Sequence, residues 1–342
     1  MPQISPSVPP AMTIIYVDEQ AAGITRRRFG KGFRFCFADG APVTDPDEIE
    51  RLRSIGLPPA YRDCWYCPDP NGHLQATGFD DRGRKQYRYH PLFRSQKEDE
   101  KFALCAQFGR ILPKLRERVE QDLASRKLTF ERTVAAIVRL LDAGLLRVGN
   151  DQYAKENDSY GATTLRADHA ELRGQKVKLR YRGKSGKEWN RAITDKALAR
   201  FVRQVQDLPG QKLFQFVDAQ GDPHPVSSSD VNAYIHDVMG EAFSAKHFRT
   251  FGASVVAYEA LVASQGTMKL REMTLVVSQA LGNTPAIARK SYIHPALIAL
   301  CQDGPAEGTD PWTLPRSTRW LTRTERGLIA YLDALNPTPP RQ

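Results

Sequence analysis

The hydrophobic positions of the chain change period near residue 91. Ahead of that point they come as short β-prone runs, Thr13 to Val17 (TIIYV) and Phe33 to Phe37 (FRFCF). His73 to Thr77 and Lys85 to Tyr89 follow as two strands around the turn Asp80-Asp81-Arg82-Gly83. Between them Asp45 to Ile55 has a helical pattern that opens on acidic residues, which suit a helix N-terminus. Beyond Pro91 the spacing becomes that of long amphipathic helices. Phe102, Cys105, Phe108, Ile111 or Leu112, Leu115, Val119 and Leu123 form one stripe over about 97–123. Val134, Ile137, Val138, Leu141 and Leu145 form a second that ends near Gly149. A third, Val231, Tyr234, Ile235 and Val238, follows Ser227 and Asp230, which are spaced as a capping box. Between the second and third stripes, Val177, Leu179 and Tyr181 alternate with cations. Gly183-Lys184-Ser185-Gly186 then turns the chain before Glu188 to Ile193, which predicts a β-hairpin.

These patterns predict an α+β chain: a small β-rich domain over 13–94, then a larger, mainly α-helical domain over 95–335 with an inserted hairpin or small sheet. The Pro-rich segment 1–12 and the tail 336–342 are expected to be disordered. A length of 342 residues suits two domains.

Charge narrows the partners. The chain holds 49 Lys and Arg against 39 Asp and Glu, a net +10, which favours a polyanion through the release of its counterions. No apolar run reaches the roughly 18 residues of a membrane span, and the first residues lack the order of a signal peptide, so a cytoplasmic protein is expected. Five scattered cysteines, an odd number, fit a reducing compartment. Cys64 and Cys67 form a C-x-x-C with no second ligand pair at finger-like spacing, so they read as two half-buried thiols rather than a zinc site.

Breaking a phosphodiester with a side-chain oxygen requires a nucleophile, cations around the non-bridging oxygens, and an acid for the departing sugar oxygen. Five positions supply these parts: Arg147 in LLRVGN, Lys184 in RGKSGK, Arg249 in KHFRTFGAS, Asn283 in LGNTPAIARK and Tyr292 in KSYIHP. Each has an ordinary reading alone. Arg147 is a cation at a helix end, Lys184 an exposed turn tip, Arg249 a surface cation before an apolar helix, and Tyr292 a core aromatic. Thr284 and Pro285 read as the N-cap and first residue of a short helix. In one straight helix nine residues would put Asn283 and Tyr292 on opposite faces. A break at Gly282 to Pro285 lets them converge.

In this order and these contexts the five positions resemble the catalytic domain of type IB DNA topoisomerases, especially the bacterial and poxvirus-like branch, over roughly residues 95–300. The segment GRKQYRYHPLFR is similar to that branch's small β-rich domain. The resemblance implies relaxation of supercoiled double-stranded DNA by a monomer that closes as a two-domain clamp, on the nucleoid, with neither ATP nor a metal or other cofactor. It assigns Tyr292 as nucleophile forming a 3′-phosphotyrosyl bond, Arg147 and Arg249 as holders of the non-bridging oxygens, and Lys184 as general acid. Asn283 stands where the family often has His; an amide donates the same bond without charge. DNA contacts are expected from Gln75, Thr77, Arg84, Lys85, Gln86, Tyr87 and Tyr89, and from Lys246, His247, Arg289 and Lys290. Alternation puts Lys85, Tyr87 and Tyr89 on one face of their strand and Gln86 opposite. Two rivals are a site-specific tyrosine recombinase and a non-catalytic DNA-binding protein of the same fold. Against the first stand Lys246 three residues before Arg249, where recombinases usually carry His, and the β-rich N-terminal part. Against the second, every catalytic position is filled.

Overall fold

A computed structural model describes residues 13–30, 32–206 and 208–335. The expected disordered ends, 1–12 and 336–342, lie outside the described residues. The chain divides into two compact units between Glu100 and Lys101.

The first unit is an antiparallel sheet. Its strands are β1 (Ile24–Phe29), β2 (Gly32–Cys36), β3 (Arg62–Tyr66), β4 (Leu74–Phe79) and β5 (Lys85–Tyr89), in the order β2-β1-β3-β4-β5. Helix α1 (Pro46–Ser54) starts at Asp45, whose side chain accepts from the Asp47 amide, and Pro46 supplies a fixed φ at the first helical position. Ile24, Phe35, Leu52, Tyr66 and Ala76 join the sheet to this helix in one small core. Two expectations change here. Thr13 to Val17 forms no strand: only Ile15 makes a bridge, to Gly72, because its neighbour is the turn before β4 and Ile15 itself stays 40% exposed. Cys64 and Cys67 are buried rather than half-buried, since β3 lies between β1 and β4.

The stripe predicted over 97–123 is two helices, α2 (Pro91–Ala103) and α3 (Cys105–Ala124). Leu104 separates them, and Phe102, Cys105 and Phe108 are buried on both sides of the break. The second stripe is α4 (Phe130–Gly144). It ends five residues earlier than the Gly149 boundary because Leu145 turns left-handed, φ 52°. Then come α5 (Asp151–Asn157), β6 (Ala170–Arg173), β7 (Lys176–Arg182), β8 (Glu188–Thr194), α6 (Lys196–Val205) and the small pair β9 (Gln215–Val217) and β10 (Pro223–Pro225). Strands β6-β7-β8 make one antiparallel sheet, so the predicted hairpin gains a third strand.

The helical remainder comprises α7 (Ser228–Met239), α8 (Ala245–Ala263), α9 (Leu270–Leu281), α10 (Pro285–Ser291), α11 (Pro295–Asp303) and α12 (Arg323–Leu335). The Ser227–Asp230 capping box forms as read from the spacing. Helix α8 runs through the core on Phe248, Phe251, Ala253, Ala257 and Leu261. The half-buried Arg116 of α3 ties it to α4 and α12 through Asp142 at 2.8 Å and Glu325 at 2.6 Å. Among the described residues, no helix is long and apolar enough to cross a membrane.

Two histidines in this unit are held neutral. Burial pushes both His247 and His294 down to about 4. In each, Nδ1 accepts a backbone N–H, from Ser244 at 3.0 Å and from Ala296 at 3.1 Å, where His294 is the N-cap of α11. Protonation of Nδ1 removes the acceptor as well as adding a buried charge. Because the folded values lie below the unfolded 6.5, the stability they contribute is complete above about pH 6.5 and is lost as pH falls toward about 4. The urea midpoint is therefore expected to drop between pH 7 and pH 4.5. His294→Asn, which keeps a capping acceptor but does not titrate, should show a smaller drop. Equal drops in the two proteins would refute the contribution of His294.

Candidate functional site

The site is built around Arg249. This residue lies inside α8 rather than ahead of it and is only 3% exposed. Its Nη1 donates to the carbonyl of Leu145, just past the end of α4, and its Nη2 to that of Leu281, the last residue of α9, at 3.2 Å. Both acceptors are helix C-terminal carbonyls, the partially negative end of the helix dipole. Arg147 and Asn283 each follow two residues after these anchors, so one guanidinium pins both loops that carry them.

The Arg147 loop is shaped by a close approach of two backbones. The Arg147 carbonyl accepts from Ala162 N at 2.8 Å and the Val148 carbonyl from Thr163 N at 2.7 Å. Gly149 sits at φ 103° against Gly161, where a Cβ would lie 2.6 Å from Gly149 Cα and 2.7 Å from the Arg147 carbonyl oxygen. Glycine is required at both places.

Asn283 leaves a left-handed helix end. Gly282, φ 61°, stops α9, and the Asn283 amide bonds back to Ser278 O at 3.1 Å. Thr284 Oγ1 then accepts from Ile287 N at 3.3 Å and Pro285 opens α10, as the sequence indicates. Asn283 is 8% exposed, and neither its Nδ2 nor its Oδ1 has a hydrogen-bond partner among the described residues. Tyr292 caps the far end of α10, its N–H bonded to Ala288 O at 3.1 Å. Arg249 Cζ stands 4.8 Å from the centre of the Tyr292 ring.

Lys184 is exposed in the turn between β7 and β8, closed by Gly183 N to Lys187 O at 2.7 Å. The hairpin below it is braced by Tyr181 and Trp189, which face each other across the strands and stack at 5.8 Å. A Cβ at Gly282 would lie 2.8 Å from the same indole, so the Lys184 hairpin and the Asn283 loop share a support. Sequence reading identified neither Trp189 nor Gly161 as parts of the site. The alternation of β8 was the available signal for Trp189.

The charges converge on Tyr292. Burial pushes its phenol upward, but the charge and hydrogen bonding of Arg249, joined by Arg147 and Lys184, outweigh it and hold the group below the ordinary tyrosine value. Arg249 is itself pushed down by burial and by repulsion from Arg147. Cations grouped around a phenol favour its ionised form and leave the surroundings able to accept a further anion.

The remaining expected contacts divide by exposure. Lys246, Arg289 and Lys290 are exposed, whereas His247 is buried against Phe108 and Phe243. In the first unit Tyr87 and Tyr89 are exposed and stacked at 6.1 Å, with Lys85 Nζ 5.9 Å from the Tyr87 ring and 2.6 Å from Glu19. Arg84 pairs with Asp80 at 2.7 Å, and Gln86 donates to the same carboxylate at 3.1 Å. Gln75 and Thr77 differ from the surface expected for them. β4 is covered by β3 and β5, both residues are buried, and Gln75 Nε2 is engaged by the Gly72 carbonyl at 2.8 Å.

The chain matches the family described as "Eukaryotic DNA topoisomerase I, catalytic core" over residues 90–288, and "Bacterial DNA topoisomerase IB, N-terminal domain" over residues 32–80. It is similar to DNA topoisomerase 1B of Acanthamoeba polyphaga mimivirus, 31% identical over 297 residues that cover 83% of this chain and 88% of that protein. DNA topoisomerase 1B of Vaccinia virus (strain Copenhagen) is 18% identical over 278 residues, 77% of this chain and 85% of that one.

The electrostatics predict that Tyr292 ionises below the ordinary tyrosine value of about 10. The difference in tyrosinate absorbance between the native chain and Tyr292→Phe, followed through alkaline pH, measures that step. Arg249→Met should raise it by removing the strongest attraction. Gly161→Ala should raise it without touching a charge, by displacing the Arg147 loop. A step at or above 10 in the native chain contradicts the assignment.

Proposed function

Because the chain belongs to the type IB DNA topoisomerase family, we propose that it relaxes supercoiled duplex DNA by cutting one strand onto Tyr292, allowing rotation, and resealing it. The observation that carries this reading is the packing of the buried Arg249 guanidinium 4.8 Å from the centre of the Tyr292 ring, where the charges of Arg147 and Lys184 also favour the ionised phenol. Tyr292 Oη gives its proton to solvent water and attacks the phosphorus in line. The new P–O bond is a 3′-phosphotyrosyl ester, the P–O5′ bond breaks, and the 5′-oxygen leaves as a hydroxyl. Arg147 and Arg249 hold the non-bridging oxygens as charge grows on them. Asn283 Nδ2, which has no partner among the described residues, donates a further hydrogen bond there.

Lys184 gives its proton to the leaving oxygen. Resealing runs the same steps backwards. The ester retains the energy of the broken bond, so the cycle requires no ATP.

Lys85, Tyr87 and Tyr89 of the first unit and Lys246, Arg289 and Lys290 of the second grip the duplex in this reading, a monomer closing as a two-domain clamp. Five free cysteines suit the reducing cytoplasm, with the enzyme on the nucleoid.

Supercoiled plasmid in EDTA without nucleotide should relax through a ladder of topoisomers, and unchanged plasmid refutes the proposal. Tyr292→Phe should abolish relaxation while leaving DNA binding intact, since only the nucleophilic oxygen is lost. Lys184→Ala should slow cleavage of ordinary DNA by about a hundredfold or more. A substrate with sulfur at the 5′-bridging position, whose thiolate leaves without a proton, should restore the rate of Lys184→Ala but not of Arg147→Ala or Arg249→Ala. Equal rescue of all three would remove Lys184 from the proton-donor role.

A further inference from the structure

The β1–β2 hairpin carries cations that the site does not use. β1 is paired with β3 only at Ile24 and Thr25, whereas its pairing with β2 runs from Thr25 to Phe29. Beyond Thr25 the hairpin is therefore a two-stranded ribbon extending past the body of the sheet. A Cβ placed at Gly30 or Gly32, near its tip, would meet nothing within 4 Å.

The arginines on this ribbon are of two kinds. Arg26 turns inward and donates to the carbonyls of Leu57 at 2.9 Å, Pro58 at 2.7 Å and Tyr61 at 3.2 Å. Arg27, Arg28 and Arg34 are exposed, and none makes a hydrogen bond or ion pair with a described residue. Arg27 is directly opposite Arg34 in the register, a like-charge cross-strand pair that weakens the hairpin. Arg34 is also held in place, its Cζ 3.6 Å above the Phe29 ring. A solvated surface is favoured by mixed signs and by charges left free to move. A ribbon that carries three exposed guanidinium groups unpaired among the described residues, Arg27 and Arg34 on one face and Arg28 on the other, with Arg34 pre-oriented, is built to meet anions from outside the chain on both faces. The width of a two-stranded ribbon matches the major groove of duplex DNA, and guanidinium forks match phosphate.

We propose that the β1–β2 ribbon is an accessory duplex-DNA grip, in which Arg27, Arg28 and Arg34 bind backbone phosphates away from the reacting one. The proposal rests on the reading of the chain as a DNA-acting enzyme. It adds affinity and a share of the salt dependence, not chemistry.

The test measures binding of the full chain carrying Tyr292→Phe to duplex DNA across a salt series, with and without the combined change Arg27→Ala, Arg28→Ala and Arg34→Ala. Each phosphate contact contributes about −0.9 to the log–log slope, so the slope should become shallower by roughly 2 to 3. Affinity near 0.15 M salt should fall tenfold or more. The three Arg→Lys changes should retain most of the slope. Lys196→Ala, Arg200→Ala and Arg203→Ala, which remove the same charge from α6, should change it by less than half as much. With Tyr292 present, the single-turnover cleavage rate at saturating enzyme should not move.

An unchanged slope, an equal effect from the α6 variant, or a fall in the saturated cleavage rate each overturns the ribbon proposal. So does ribbon-dependent binding to anionic-lipid vesicles with DNA binding unaltered. Failure of the Tyr292→Phe chain to bind DNA at all overturns the DNA-acting reading itself, which separates the two failures.

Discussion

The buried guanidinium of Arg249 is the constraint on which the rest of the site depends. It cannot be neutralised by losing a proton, and among the described residues no carboxylate is paired with it, so its compensation is two helix-end carbonyls and the face of Tyr292. Those partners are the ends of α4 and α9, after which the chain must turn. The turns are left-handed at Leu145 and Gly282, and they deliver Arg147 and Asn283 two residues later. A single buried cation thereby ties the ends of two core helices to the groups proposed to meet a phosphate.

Such an arrangement is under-satisfied. Arg249 is pushed down by burial and by Arg147, and among the described residues its Nε has no hydrogen-bond partner and both amide atoms of Asn283 lack one. Interior polar groups of this kind cost stability when they stay unpaired. They concentrate where a structure must bind charge, because a preorganised site does not have to rearrange as charge develops. The rigidity comes from packing around it: α8 in the core, the Arg116 bridge to α4 and α12, and the Tyr181–Trp189 stack beneath the hairpin. Lys184 lies beyond that stack on an exposed turn, where the hairpin leaves it free to approach an external group.

Periodicity made the helices and the hairpin legible. The stripe of α4, the capping box of α7, the Thr284-Pro285 start of α10 and the alternation of β7 follow from local rules that the fold does not override. The break at Leu104 escaped that reading because the apolar stripe continues across it. β1 was hidden by Arg26, Arg27 and Arg28, which no alternation marks as half-buried, and β3 by the bulge that puts Asp63 at φ 47°. The burial of Arg249 and His247 was likewise invisible. Both are polar residues on a helix whose apolar neighbours surround them in three dimensions only.

The Arg147 loop shows the deeper reason. Its geometry is set by Gly149 against Gly161, twelve residues away, with the Arg147 and Val148 carbonyls accepting from Ala162 and Thr163. In that contact the information lies in what the two residues lack, a Cβ, and neither hydropathy nor charge records an absence that matters only when two backbones meet. A cation proposed to meet a phosphate, such as Arg147, is picked out in sequence by its type and neighbours. The loop that aims it is specified by pairs of small residues whose relation appears only once the chain has folded, so recognition of a site's chemistry from sequence runs ahead of recognition of its support.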